Sequence, residues 1–515
     1  MKILNYTIII QFLILNALIF VLAIPDLWGQ IEQPTRYEVE LEYEDDFFNV
    51  LPVDEYGIVL SRKNTEVFEK GKIPWQFLML DTTLQERWKN DIFIDYYYEL
   101  RGFDHVKNKV YYLFRHEENR AVNDKIIEID VLTGMHQQYD VTVTLNFELT
   151  EFEIIDNSAI FGGYVNMRPT VFQYFFKEGR TKVYPGLYFD KSRLLQVDVN
   201  ETREMTTVIS SIRTFEKENT IAIRKFTADG EMMESFNLTP KEKTSLIDAR
   251  NVSVDMNTDI IAGTYSGKNM RYSRGIFLAY IDARGEEVIK YYNYAELENF
   301  FSYMKAKREK RVKERIERKK IKGKKLKFNY RLLVHDIIPF ENNFILLGEA
   351  YYPKYNNYSA YGGFQSYYPS SRSNYSSYYF EGYQYTHAVV IGFDKEGNLL
   401  WDNSFEINDA MSYQLKQFVH VDPRENDIVL LYNYENVIRT KMIKGEEVIE
   451  GKSFNDISLK FQDDEVKTNN SEYGGLEKWY DDRFFAYGIQ NIKNMKDVGV
   501  KLNRKVFFIN KIIYN

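Results

Sequence analysis

Between Arg36 and Glu44 apolar and charged side chains alternate: Tyr37, Val39, Leu41 and Tyr43 fall on one face, and Glu38, Glu40, Glu42 and Glu44 on the other. A period of two describes a strand packed on one side and wet on the other. Further along, the pattern becomes short apolar runs, each entered through a turn rich in Asp, Asn or Glu. Such turns open at Asp54 (Asp-Glu-Tyr-Gly-Ile-Val-Leu), Lys107, Asp156, Asn257, Asn342, Glu425 and Asp481, with a degenerate copy at Asn200. Between these lie glycine turns flanked by charge, at Gly134, Gly179, Gly230, Gly285, Gly397 and Gly445. A tight hairpin needs a residue with positive φ, which glycine supplies without steric cost.

The two signals alternate, so each unit of about fifty residues is two hairpins, a four-stranded antiparallel sheet. Eight such units predict an all-β fold, a β-propeller of eight four-stranded blades, seven being the alternative count. The last unit holds three strands and ends in the run Val506-Phe-Phe-Ile509. The strand at 36–44 is expected to supply the fourth, closing the ring and removing its open edges.

Within Val389 to Phe405, the stretch Phe393-Asp-Lys-Glu-Gly-Asn-Leu-Leu-Trp401 resembles the blade hairpin of quinoprotein-like eight-bladed propellers, in which an aspartate, a turn glycine and a following tryptophan recur. Ile126 to Gly134 is a weaker copy without the tryptophan, and Trp88 is placed to serve the first blade in the same way. The resemblance implies the fold. Most blades lack the tryptophan, so no cofactor is expected and the indole is read as an aromatic plug between blades.

Composition narrows the class. The chain is 44% hydrophobic and 16% aromatic, has no cysteine and carries a net charge of -8, which excludes a disordered chain, a disulfide framework and a cysteine zinc site. Lys2 followed by the apolar run Thr7 to Ile24 and by Pro25 reads as a secretory signal over residues 1–29, cleaved after Gly29, with an uncleaved N-terminal anchor as the alternative. Residues 30–515 are then one propeller domain. An exported chain without cysteine points to a bacterial envelope, in the periplasm, at the outer membrane or outside the cell.

Two insertions break the repeat, at 294–327 and 350–385. In the first, Leu297, Phe300, Phe301 and Met304 have the spacing of a helix docked on a core. Lys305 to Lys327 then carries fourteen Lys or Arg against three Glu, a net of +11 that leaves -19 on the remainder. This basic helix is expected to present Lys307, Arg308, Lys310, Arg311, Lys313, Arg315, Arg318, Lys319 and Lys320 to an anionic partner. The second insertion, a loop, holds twelve tyrosines among Ser, Asn and Gly, a composition suited to recognition, and Tyr355, Tyr358, Tyr361, Tyr367, Tyr368, Tyr378 and Tyr379 are its candidate contact residues. Partners are an envelope protein or polysaccharide, with an anionic lipid surface for the helix; the exported compartment argues against nucleic acid. Six histidines form no metal-ligand pair, and only His335 and His420 stand beside carboxylates on inner strands. No nucleophile elbow, phosphate loop or dinucleotide fingerprint occurs. The sequence therefore leads to a non-catalytic binding or scaffolding propeller; the alternative is a hydrolase or quinoprotein-like oxidoreductase with its site in the central channel.

Overall fold

The computed structural model describes residues 31–43, 47–116, 123–142, 146–254, 258–267, 270–282, 284–357, 378–497 and 499–514. The leader expected at 1–29 lies outside them. The strands form eight antiparallel sheets. Blade one comprises Asn49–Val53, Gly57–Lys63, Lys72–Leu80 and Glu86–Asp95. Blades two to seven follow in order at 98–141, 147–183, 192–237, 245–293, 331–406 and 420–456, and blade eight is built from Asp464–Lys478, Arg483–Asn494 and Asn503–Tyr514. First strands of blades one to six touch in succession, as do those of blades seven and eight, and the eight sheets form a ring, an eight-bladed β-propeller.

Each expected turn has a defined place. The acidic turns join first to second strands, and residues there adopt left-handed backbone: Asp54 (φ 40), Lys107 (φ 54), Asp156 (φ 46) and Asp481 (φ 48). The glycine turns join third to fourth strands, with φ of 72 at Gly134, 75 at Gly285 and 72 at Gly397. Their leading aspartates accept backbone N–H groups: Asp130 Oδ1 from Thr133 at 2.9 Å, Asp282 Oδ1 from Glu286 at 2.8 Å, Asp394 Oδ1 from Asn398 at 2.7 Å. In an antiparallel meander both turn types lie at one end of the blades, hereafter the first face, and the remaining connections lie on the second.

Packing between blades follows the period of two. In Lys72–Leu80, Trp75, Phe77 and Met79 meet Val110, Tyr112 and Phe114 of blade two, while Leu78 and Leu80 turn toward blade eight. Ring pairs such as Phe77 with Tyr112, 4.8 Å between centroids, fill the seam. Two tryptophans lock neighbouring turns. Trp88 donates its indole N–H to the Val131 carbonyl (2.7 Å) beside Gly134, and Asn90 donates to the Gly134 carbonyl (2.7 Å). Trp401 lies against Gly445 in the same way, with Asn403 donating to its carbonyl at 3.3 Å. Trp88 thus holds the place expected for it.

The structure departs from expectation inside the insertions. Residues 294–304 form successive tight turns and the helix, α1, spans Ala306–Ile321. Side chains intercept the amides a helix would use: Asp402 accepts the N–H of Glu298 and Asn299, both at 2.8 Å, and Asn293 that of Ala295 at 2.9 Å. Leu297, Phe300 and Phe301 are nonetheless buried. The ends of the tyrosine insertion are strands, since Asn343–Asn357 and Tyr378–Phe393 pair along their length; β-branched and aromatic side chains favour that ladder.

The ring closes where Arg36–Glu40 pairs with Asn503–Tyr514, Tyr37 opposite Ile509 and Val39 opposite Phe507. A buried polar network ties this strand to the other three of blade eight. Arg36 pairs with Glu38 (2.9 Å) and donates to Gln490 Oε1 (2.8 Å) and Asn510 Oδ1 (2.9 Å), while Arg504 reaches Glu38 (3.3 Å) and Asp464 (2.9 Å). Removing one member strands the others without solvent. We expect Glu38→Ala to cost about 3–5 kcal/mol of stability in chemical denaturation, whereas Glu40→Ala, on the same strand face but 44% exposed, costs under about 1 kcal/mol.

Candidate functional site

Three regions carry unusual chemistry. The first is α1. A stripe of Glu309, Val312, Lys313, Ile316 and Lys319 is half-buried, with Val312 and Ile316 seated on the core between blades five and six. This spacing of three and four residues is that of one helical face. Lys307, Arg308, Lys310, Arg311, Arg315, Arg318 and Lys320 are exposed, and Lys313 and Lys319 border the docked side. Ion pairs within the helix join Lys313 to Glu309 (2.8 Å) and Lys320 to Glu317 (4.0 Å); beyond it, Lys325 meets Glu296 at 2.6 Å. Among the described residues, most of these cations are bound by no carboxylate of the body.

The second region is the ribbon formed by the tyrosine insertion. Tyr355 is exposed, with its ring 5.5 Å from that of Phe380. Tyr378 and Tyr379 lie on the returning strand, opposite Asn357 and Asn356. Tyr358, Tyr361, Tyr367 and Tyr368 lie outside the described residues. The ribbon joins the second and third strands of blade six, and α1 belongs to the connection between blades five and six, so both insertions leave the ring on its second face, side by side. Just past the end of the second insertion, the buried ring of His387 stacks on Tyr303 of the first at 3.6 Å.

The third region, unmarked by any motif, is the channel. Asp104, Glu151, Glu153 and Asp198 sit on inner strands of blades two, three and four, and Asp336 joins them from a bulge between Val334 and Ile337. A bulge re-aims the side chain it displaces. Asp336 Oδ1 accepts from Gln196 at 3.2 Å and faces Arg250 Nε at 3.5 Å. Burial, reinforced by Asp104, Glu151, Asp198 and Asp336, pushes the Glu153 carboxyl up to about 9. Burial, then Asp336, raises Asp198 to about 6. Glu153 is therefore a neutral acid at pH 7 among other carboxyls, able to donate a hydrogen bond or a proton. The only sequence signal was the spacing of two that pairs Glu151 with Glu153 on one strand face.

The histidines singled out from sequence have structural surroundings. His335 Nε2 lies 2.9 Å from Glu349 Oε2, and the buried Glu349 also accepts the N–H of Val419 at 2.7 Å, joining blade six to the entry of blade seven. Burial, followed by His335, holds His420 down at about 4, hence neutral. Among the described residues no group of three His, Asp or Glu side chains is arranged to hold a metal ion.

No protein-family model matches the chain, and no curated protein matches it in sequence. Solved structures match in shape. An acylaminoacyl peptidase of Pyrococcus horikoshii shares 11% identity over 78% of this chain at a TM-score of 0.35, and this chain spans 51% of its length. The β-propeller domain of the Trilobed protease from Pyrococcus furiosus matches at 9% identity, covering 79% of this chain and 100% of that one, TM-score 0.35. The polysaccharide lyase Uly1 matches at 10%, 92% and 100%, TM-score 0.39. At these values the matches carry no argument about activity.

The channel acid has a consequence for stability. A carboxyl whose folded pKa is raised stabilises fully below its unfolded value, and that contribution fades as pH rises toward the folded value. For Glu153 the window runs from the ordinary carboxyl value of 4.5 to about 9. Glu153→Gln should leave the melting temperature unchanged at pH 4.5 and raise it at pH 8, measured by calorimetry at both pH values.

Proposed function

We propose that the chain is a non-catalytic binding or scaffolding propeller of a bacterial cell envelope, using as its contact surface the second face, where both insertions emerge. One observation carries this reading: α1, a sixteen-residue helix with no buried residue, is held on a rigid base with its cations turned outward. A helix of that charge adds little to the fold, and charge density of this kind attracts anionic surfaces and acidic polymers. The apolar run before Pro25 and the absence of cysteine support export to an envelope compartment. Tryptophans packed on the Gly134 and Gly445 turns support a quinoprotein-like ring architecture. An envelope protein, a glycan or an anionic surface suits this chemistry, and the reading needs no cofactor.

The second reading, a propeller enzyme with its site in the channel, is favoured by Glu153, an acid kept protonated near neutrality beside Asp198 and Asp336. The two readings separate experimentally, because Glu153→Gln removes the channel acid and leaves α1 untouched.

Replacing residues 305–327 by a short Gly-Ser linker should leave the ring folded and abolish the salt-sensitive part of association with envelope fractions; association unchanged by the replacement would remove the proposed role. Replacing residues 358–377 by a two-residue turn should shift the unfolding midpoint by less than about 2 °C, measured by circular dichroism, because the ring closes without them.

A further inference from the structure

Exposed aromatic side chains divide the two faces. Among the described residues, the turns of the first face expose none, whereas connections of the second face expose Phe68, Tyr96, Tyr188, Phe215, Tyr272 and Tyr413. Phe215 is fully out, at 108% relative exposure, and Met167 reaches 87%. Both sit in tight hairpin turns, of blades four and three, whose strands pair up to Arg213 with Asn219 and Val165 with Arg168. Such turns hold their tips rigidly. Leaving a phenylalanine in water this way forgoes about 1.5–3 kcal/mol of burial, and single exposed apolar residues, such as Leu132 and Met135 on the first face, are unremarkable, but a set of exposed rings confined to the connections of one face marks a contact surface.

Charge selects a sector of that face. Over blades four to six the connections carry Lys241, Lys243, Arg271 and the whole of α1, and Arg331 opens blade six, whereas over blades eight and one Glu42, Glu66 and Glu69 are offset by Lys70, Lys496 and Lys501. In an eight-bladed ring these sectors lie opposite each other. Cations also stand over the exposed rings, Arg168 over Tyr188 at 4.6 Å and Arg331 over Tyr272 at 5.2 Å. Aromatic tips beside Lys and Arg are the composition that sits at a bilayer's headgroup level. Stacking on a glycan is less well served, since Phe215 and Met167 offer no polar group and stand on separate hairpins.

We propose that the second face, over blades three to six, docks on an anionic lipid bilayer. Met167 and Phe215 enter the boundary between headgroups and acyl chains, Tyr272, Tyr355 and Tyr413 lie at headgroup level, and α1 meets the anionic headgroups. Blades eight and one, which lack that excess of cations, tilt away. This identifies the partner of the contact surface proposed above and rests on that reading.

The test uses the chain begun at residue 30, which keeps both closing strands and lacks the apolar run at 7–24 that would bind lipid itself. It should co-sediment with phosphatidylcholine vesicles containing about one third phosphatidylglycerol, not with phosphatidylcholine alone, and binding should fall with salt. Phe215→Trp should show a blue shift of its added emission on these vesicles, while Leu132→Trp on the first face shows none. Phe215→Ser combined with Met167→Ser should weaken partitioning at least about fivefold with an unchanged melting temperature. Vesicle binding without the F215W shift, or no vesicle binding, overturns the proposal. If the chain instead binds soluble alginate and loses it when 305–327 are replaced, the lipid partner is wrong and the contact surface stands. Loss of neither alginate binding nor envelope association on that replacement would sink both.

Discussion

The pairing of Arg36–Glu40 with the C-terminal strand is the contact on which the rest of the molecule depends. It joins residues more than 460 positions apart in sequence, as in the pair Glu40 and Val506, so its loop-closure entropy is the largest in the fold. Without it the strand Asn503–Tyr514 would present an unpaired edge. The buried network of Arg36, Glu38, Arg504 and Asp464 makes the join specific: each charge is out of water and each needs the others, so a register slip of one residue would leave charges without partners.

Closure also explains why the two faces differ. On the first face the turns between third and fourth strands are gripped by the preceding blade: Trp88 and Asn90 at Gly134, Tyr292 donating its hydroxyl to the Gly397 carbonyl at 2.9 Å, Trp401 at Gly445. At Gly134 a Cβ would approach Asn90 Nδ2 to 2.6 Å, so these turns have no room to grow. Connections on the second face vary in length, and both long insertions lie there. The face that admits insertions is the one available to a partner.

Two electrostatic environments coexist in one chain. On α1 the charges are solvated and weakly paired, and their effect is long-ranged and sensitive to salt. In the channel, carboxylates from several blades share a confined space around Asp336, and the repulsion is relieved by protonation of Glu153. Burial raises the Glu151 carboxyl, and Arg250, the cation placed beside this cluster, opposes only part of that rise.

Much of this architecture was written locally. Alternation at 36–44, acidic turns at Asp54 or Asp156 and glycines at Gly134 or Gly397 depend on neighbours a few residues away, so the strands, the eight blades, the closing strand and the existence of α1 could be read directly. The turns at 294–304 could not, because the competing acceptor is Asp402, about a hundred residues downstream. Nor could the stacking of Tyr303 on His387, or the convergence of Asp104, Glu153, Asp198 and Asp336, which depends on how far each blade rotates about the axis and on where a bulge displaces one residue. Sequence by itself determined the units and their order; the tertiary structure decided which of their side chains face one another, because that follows from closing the ring and from nothing within a single blade.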